Sequence, residues 1–211
     1  NERDVVLITY ADQIRRCDCS PLAALNRFLL DHHLDECMNT VHLLPFFPYS
    51  SDDGFSVIDY KQVDPACGDC ADVAQLGESF DLMFDLVLNH CSKEHRWFRA
   101  YLEGTEPFNR YFLEVDPATD LSSVVRPRST PVLTPFETSR GTRNVWTTFS
   151  DDQIDLNFSN PDVLCEMIDV LLFYAQHGAR IIRLDAVAYL WKTLGTSCIH
   201  LPETHTVVKL L

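Results

Sequence analysis

The chain has 211 residues, enough for one large domain or part of a larger protein, and its 46% hydrophobic and 11% aromatic content suits a soluble globular core. A formal charge of −14 argues against nucleic acid as a main partner, because binding a phosphate backbone needs a concentrated cationic face. No apolar run approaches the roughly 18 residues that cross a bilayer, no signal peptide is visible, and the expected location is cytoplasmic.

In chain order, residues 5–10 predict a first strand, ending in Tyr10, Ala11 and Asp12. Ser20 as N-cap and Pro21 at the first helical position open a helix over 21–34, with an apolar stripe at 22, 25, 28 and 29. Residues 40–44 predict a second strand closed by Pro45, residues 71–80 a second helix, and residues 82–88 a third strand. The near-continuous apolar run of that third strand is what burial on both faces requires. Asn160 and Pro161 begin a strong helix through His177, stopped by Gly178, and 181–184 predict a fourth strand. Alternation of this kind implies βα units on a parallel sheet, and four such units are half of an eightfold barrel. The long stretch 91–159 interrupts the alternation with Pro-, Thr- and Arg-rich connections, so it is expected to carry function or form a subdomain. Asn1 is not a Met and the last five residues continue an apolar helical pattern without a stop signal, so both ends read as cut.

Eight cysteines include two close pairs, Cys17 with Cys19 and Cys67 with Cys70. Such pairs suit zinc, a disulfide or free thiols; Asp18 and Asp69 between the partners disfavour thiolates, which leaves free thiols and no metal as the expectation. Cys37, Cys91, Cys165 and Cys198 stand singly, as buried small apolar residues do.

Three groups carry chemistry. Arg183 and Asp185 stand at the C-terminal end of the fourth strand, where a barrel places its catalytic groups, and burying either charge unpaired costs several kcal/mol, roughly. They read as a carboxylate nucleophile with its cationic partner, or as a structural ion pair. Asn89 and His90 end the third strand, with Asp85 five residues upstream: His90 reads as a donor to a sugar hydroxyl, or as a core histidine, with Asp85 and Asn89 fixing the loop. The segment from Pro45 to Phe55, with Phe46, Phe47, Tyr49, Asp52, Asp53 and Gly54, interleaves aromatics and acids as a sugar site does, or is a turn-rich loop.

The run Asp85 to His90 resembles the first signature region of the α-amylase superfamily, glycoside hydrolase family 13, and Arg183-Leu184-Asp185 resembles its second. The loop 48–64, the run 145–149 and Gly195 to Cys198 resemble the sucrose phosphorylase subfamily, which includes enzymes acting on sucrose 6'-phosphate and glucosylglycerate. The Asp-Asp-Gly-Phe and Trp-Thr-Thr-Phe segments are nearer to those phosphorylated or acidic-substrate relatives. The resemblance implies the N-terminal half of a (β/α)8 TIM barrel in the α/β class: strands 1–3 in residues 1–90, an inserted subdomain after the third strand in 91–159, and helix 3, strand 4 and the start of helix 4 in 160–211. It implies Asp185 as nucleophile with Arg183 beside it, and His90 and Asp52 gripping a glucosyl ring between Phe55 and Phe149. Arg126 and Arg128 then lie in a loop that recruits phosphate or the acceptor. The implied reaction moves glucose from sucrose or a related α-glucoside to phosphate, with inorganic phosphate as co-substrate and no cofactor, metal or membrane. Hydrolysis or transglycosylation by the same intermediate, and a catalytically incomplete sugar-binding piece, are the alternatives. The resemblance also implies an acid/base Glu after the next strand; Glu203 is not that residue, and Cys67 to Cys70 replace a Gly-Ser-Trp. Oligomeric state is not readable from the residues.

Overall fold

The computed structural model describes residues 4–211. Each predicted βα unit forms. Strand β1 is Val6–Thr9, and helix α1 is Pro21–Asp31, opened by the Ser20 hydroxyl accepting from Ala23 N. The predicted helix over 21–34 stops early: His33 takes a left-handed turn into a short 3-10 segment, Leu34–Glu36. Strand β2, Thr40–Leu43, is buried along its length. Helix α2, Cys70–Leu76, is capped by Asp69 and Asp72 in a reciprocal box and ends at Gly77, short of the predicted 80. Strand β3 is Asp81–Val87.

The stretch predicted as an excursion begins at β4, His90–Ser92, continues through α3, Arg96–Glu103, and a hairpin of β5, Leu133–Thr138, and β6, Gly141–Trp146, and returns in β7, Gln153–Asp155. β4 and β7 pair antiparallel, with His90 opposite Asp155 and Ser92 opposite Gln153. These four strands were not resolved in the sequence because none has a long alternating run. Phe98, Tyr101, Phe112 and Phe136 form an aromatic cluster at centroid distances of 4.9 to 5.3 Å that gives this part its packing.

Helix α4, Pro161–Gln176, is capped by Asn160 and turned out by Gly178 at φ 97°, a conformation that disfavours any side chain. Its buried Val163, Met167, Val170 and Tyr174 recur every three or four residues, so one face covers the sheet. Each such side chain contributes about 1.5–3 kcal/mol by leaving water. Strand β8, Ala179–Asp185, follows, and α5 is Pro202–Leu210. The sheet is parallel in the order β1-β2-β3-β8, flanked by helices: half of an eightfold barrel. Its edges are β1 and β8, where Val6, Ile8 and Ile181 are exposed.

Two expectations are corrected. Phe46 and Phe47 are not sugar-facing. They are buried, with Phe46 against Phe84 and Phe47 stacked on Tyr174 at 4.9 Å, because the chain leaves β2 into the sheet–helix layer before it turns outward. Cys91 and Cys198 are buried, whereas Cys37 and Cys165 are exposed, Cys37 after the 3-10 turn and Cys165 on the outer face of α4. All eight cysteines are free thiols.

Candidate active site

Parallel register decides what meets at the C-terminal end of the sheet. β3 and β8 pair with Asp85 beside Arg183 and Val87 beside Asp185. Asp85 is fully buried; it accepts a hydrogen bond from Arg183 Nη1, and its other oxygen lies 2.8 Å from His42 Nε2 on β2. The same Arg183 nitrogen is 3.2 Å from Asp185 Oδ1, so one guanidinium joins the two carboxylates and lies 5.8 Å from the Phe55 ring. Asp85 thus supports Arg183 rather than the loop at His90.

The Asp185 side chain is 17% exposed. Burial pushes its pKa above the usual carboxylate value; His90 and Arg183 pull it down, and the charges of Asp85 and Asp52 push it up. Directly after it, Ala186 is held at φ 49°, a strained turn at the strand end.

His90 is 1% exposed, and burial keeps its ring neutral by lowering its pKa. Its Nε2–H donates to the Phe55 carbonyl at 3.0 Å, so it buttresses the Phe55 backbone as well as facing Phe149, whose ring is 5.1 Å away. Phe149 also packs on Tyr189 at 5.4 Å. Asn89 does fix the loop, donating to Asp155 Oδ2 at 2.8 Å.

The loop bearing Asp52 is tightly held. Ile58 N donates to Pro48 O at 2.7 Å and Ser50 N to Ser56 O at 3.0 Å, closing it on itself. Asp52 and Asp53 take left-handed conformations, and a Cβ on Gly54 would stand 2.6 Å from the Pro45 carbonyl, so only glycine fits there. Ser50, Ser51 and Ser56 all donate to Asp152 Oδ2, tying this loop to the segment before β7. Gln153, which the sequence reading passed over, donates to Asp52 Oδ2 at 2.9 Å, and its amide nitrogen is 3.2 Å from His90 Nε2. Its position five residues after Thr148, on a three-residue strand, gave no periodic signal.

A cleft of about 600 Å³ is lined by Ser50, Asp52, Lys93, Arg128, Phe149 and Gln153, among others. Arg128 lines this cleft with Asp52 and Phe149, whereas Arg126, and likewise Asp185, Arg183, His90 and Phe55, are not among its lining residues. Arg126 is half-buried, its Nη1 has no partner among the described residues, and burial lowers its pKa. The loop holding both is fastened to the segment after β8: Val125 N donates to Ser197 O at 2.9 Å and Ser123 Oγ to Thr196 O at 3.0 Å. Tyr10 and Asp12 lie in a separate recess with Tyr49 and Asp53, where Asp12 pairs with Arg15 at 2.6 Å.

The model of the alpha amylase catalytic domain matches residues 32–207. The chain belongs to the alpha-amylase family. Within it, the chain is 58% identical to the glucosylglycerate phosphorylase of Spirochaeta thermophila, over 98% of this chain and 35% of that protein. It is 55% identical to the glucosylglycerate phosphorylase of Escherichia coli, over 100% of this chain and 38% of the relative. The chain therefore spans little more than a third of the length of these curated relatives. The crystal structure of sucrose 6F-phosphate phosphorylase from Thermoanaerobacter thermosaccharolyticum superposes with a TM-score of 0.90 at 30% identity, covering 100% of this chain and 45% of that one. These likenesses place this alpha-amylase domain with the sucrose phosphorylase-like enzymes and its sheet in their TIM barrel.

Proposed function

We propose that the protein is a retaining α-glucoside phosphorylase whose donor has an anionic aglycone, with glucosylglycerate preferred to sucrose. The observation that carries the reading is Asp185 at the end of β8, held by an Arg183 that is itself braced by buried Asp85. In the proposed reaction an Asp185 oxygen attacks the anomeric carbon as the aglycone oxygen leaves protonated; a phosphate oxygen then displaces Asp185 to give α-glucose 1-phosphate. Asp52 grips the glucosyl hydroxyls, and Phe55, Phe149 and His90 wall the ring. The other carboxylates acting on Asp185 are already held, Asp85 by Arg183 and His42 and Asp52 by Gln153, so we assign the acid/base to a part of the protein beyond these 211 residues. Eight free thiols suit a reducing compartment such as the cytoplasm, and no helix among the described residues is long and apolar enough to cross a membrane.

Two cations of the cleft are placed to receive an anionic aglycone. Arg128 has no carboxylate partner among the described residues, and Lys93 has only a 3.9 Å contact to Asp152. The cleft also holds the carboxylates Asp52, Glu94, Asp151 and Asp152, so an anion would be received by these two cations individually and not by the net charge of the cleft. The full-length protein given glucosylglycerate is expected to release glucose 1-phosphate in proportion to added phosphate. Free glucose at a rate indifferent to phosphate would make it a hydrolase instead. Arg128→Gln is expected to raise KM for phosphate, and for glycerate in the reverse direction, by roughly tenfold each. Unchanged constants in both directions would remove Arg128 from anion recognition.

A further inference from the structure

Lys192 is a charged side chain with no surface to serve. It is 2% exposed, and its Nζ lies 2.6 Å from Asp155 Oδ2 and 2.8 Å from Asn89 Oδ1. Asp155 is fully buried as well and accepts from four donors: Lys192, Asn89 Nδ2 at 2.8 Å, Thr148 N at 2.7 Å and Thr148 Oγ1 at 2.6 Å. A buried ion pair is a poor source of stability, since a well-packed apolar pair of similar volume holds a core equally well or better. What this pair adds is geometry.

Three distant segments meet at that ammonium. Asn89 precedes His90, Thr148 precedes Phe149, and Lys192 follows the 3-10 turn Val187–Tyr189, whose Tyr189 packs on Phe149. The His90 and Phe149 rings, 5.1 Å apart, therefore each sit one residue beyond a group fixed by the Lys192–Asp155 centre. We propose that Lys192 is a positioning residue for glucosyl transfer: its buried ammonium, shared by Asp155 and Asn89, sets the spacing between His90 and Phe149 in the donor pocket. It touches no substrate itself. The inference rests on the assignment of that pocket to the glucosyl ring, and it predicts a defect confined to the donor side.

The test compares full-length wild type with Lys192→Met, Asp155→Asn/Lys192→Met, Thr148→Val and Lys192→Arg, reading Tm, kcat/KM for the glucosyl donor and KM for phosphate. Lys192→Met strands the Asp155 carboxylate and is expected to lower both Tm and kcat/KM. The double variant removes both charges, so it is expected to recover Tm while kcat/KM for the donor stays at least tenfold down and KM for phosphate stays within twofold. Recovery of kcat/KM together with Tm would overturn the proposal, because the pair would then be merely structural. Thr148→Val leaves the ion pair balanced and removes one of the two bonds from the Phe149 segment to Asp155, the Thr148 N–H bond at 2.7 Å remaining, and it also takes the acceptor from Trp146 Nε1; it is expected to lose about twofold in donor kcat/KM. Lys192→Arg keeps the charge but not the ammonium's position between Asp155 and Asn89, and wild-type donor kcat/KM in that variant overturns the proposal even where neither Lys192→Met variant folds. If the wild type itself releases glucose independently of phosphate, the phosphorylase reading fails, and the same donor-side comparison, read on hydrolysis, still decides the role of Lys192.

Discussion

Asparagine in place of Asp185 is expected to lower glucosyl transfer by roughly 10⁴-fold or more in the full-length protein, because removing a nucleophile removes the covalent route. The same change is expected to make the protein melt higher at neutral pH. Burial raises the Asp185 pKa above its ordinary 3.8, so the folded state holds the proton more tightly than the unfolded chain. For a group raised in this way, the stabilising contribution is fully present below the unfolded pKa and is lost as pH rises through the folded one. At pH 7 the ionised carboxylate therefore works against the fold, and a neutral side chain relieves it; Arg183 keeps Asp85 as its partner. A rise in Tm is the expected direction. The gap should close as pH falls through the acid range just above 3.8. Scanning calorimetry at neutral and acid pH checks the sign, and turnover by the Asn variant at more than a tenth of wild type would rule Asp185 out as nucleophile.

The second large effect is at Asp85, which touches neither the cleft nor solvent. Asp85→Ala leaves Arg183 and His42 facing an emptied position between β2 and β8. Breaking a buried pair of this kind costs about 3–5 kcal/mol. Arg183 is 42% exposed and can recover water, which brings the expected loss below that range, to about 2–3 kcal/mol. Activity is expected to fall about 100-fold as well, since Arg183 would lose the brace that aims it at Asp185. Urea melts and single-turnover kinetics on the same preparation separate the two losses. Undiminished transfer at substrate saturation would show that Arg183 is aimed by its own strand and not by Asp85.

The sequence was most legible where one strand both folds and presents chemistry. The apolar run of β3 announces a buried strand; the short run of β8 was read as buried too, but β8 is an edge strand with no buried residue, because its outer side has no neighbour among the described residues. The polar residues His90, just beyond β3, and Asp185, at the end of β8, follow without knowledge of any partner. Helix starts were legible for the same local reason: Ser20 with Pro21 and Asn160 with Pro161 pair an N-cap acceptor with a proline at the first helical position, ahead of an apolar stripe. Long-range placement was not legible. Phe46 and Phe47 belong to the core and Phe55 to the site, although all three sit on one aromatic loop, because the direction of the chain after Pro48 is decided by contacts to Asp152, some 100 positions away. The same limit hid Gln153, Asp155 and Lys192. Lys192 meets Asn89 across 103 positions, and no spacing rule reaches that far.

The edges of the sheet bear on how such a domain can be extended. β1 and β8 both offer unpaired backbone, and every pairing between them is parallel. A hairpin cannot close such a gap, because a parallel neighbour must enter from the same end and so needs a crossover behind the sheet. Any strand added at either edge in the same parallel sense must therefore arrive in a strand-and-crossover unit like those already present.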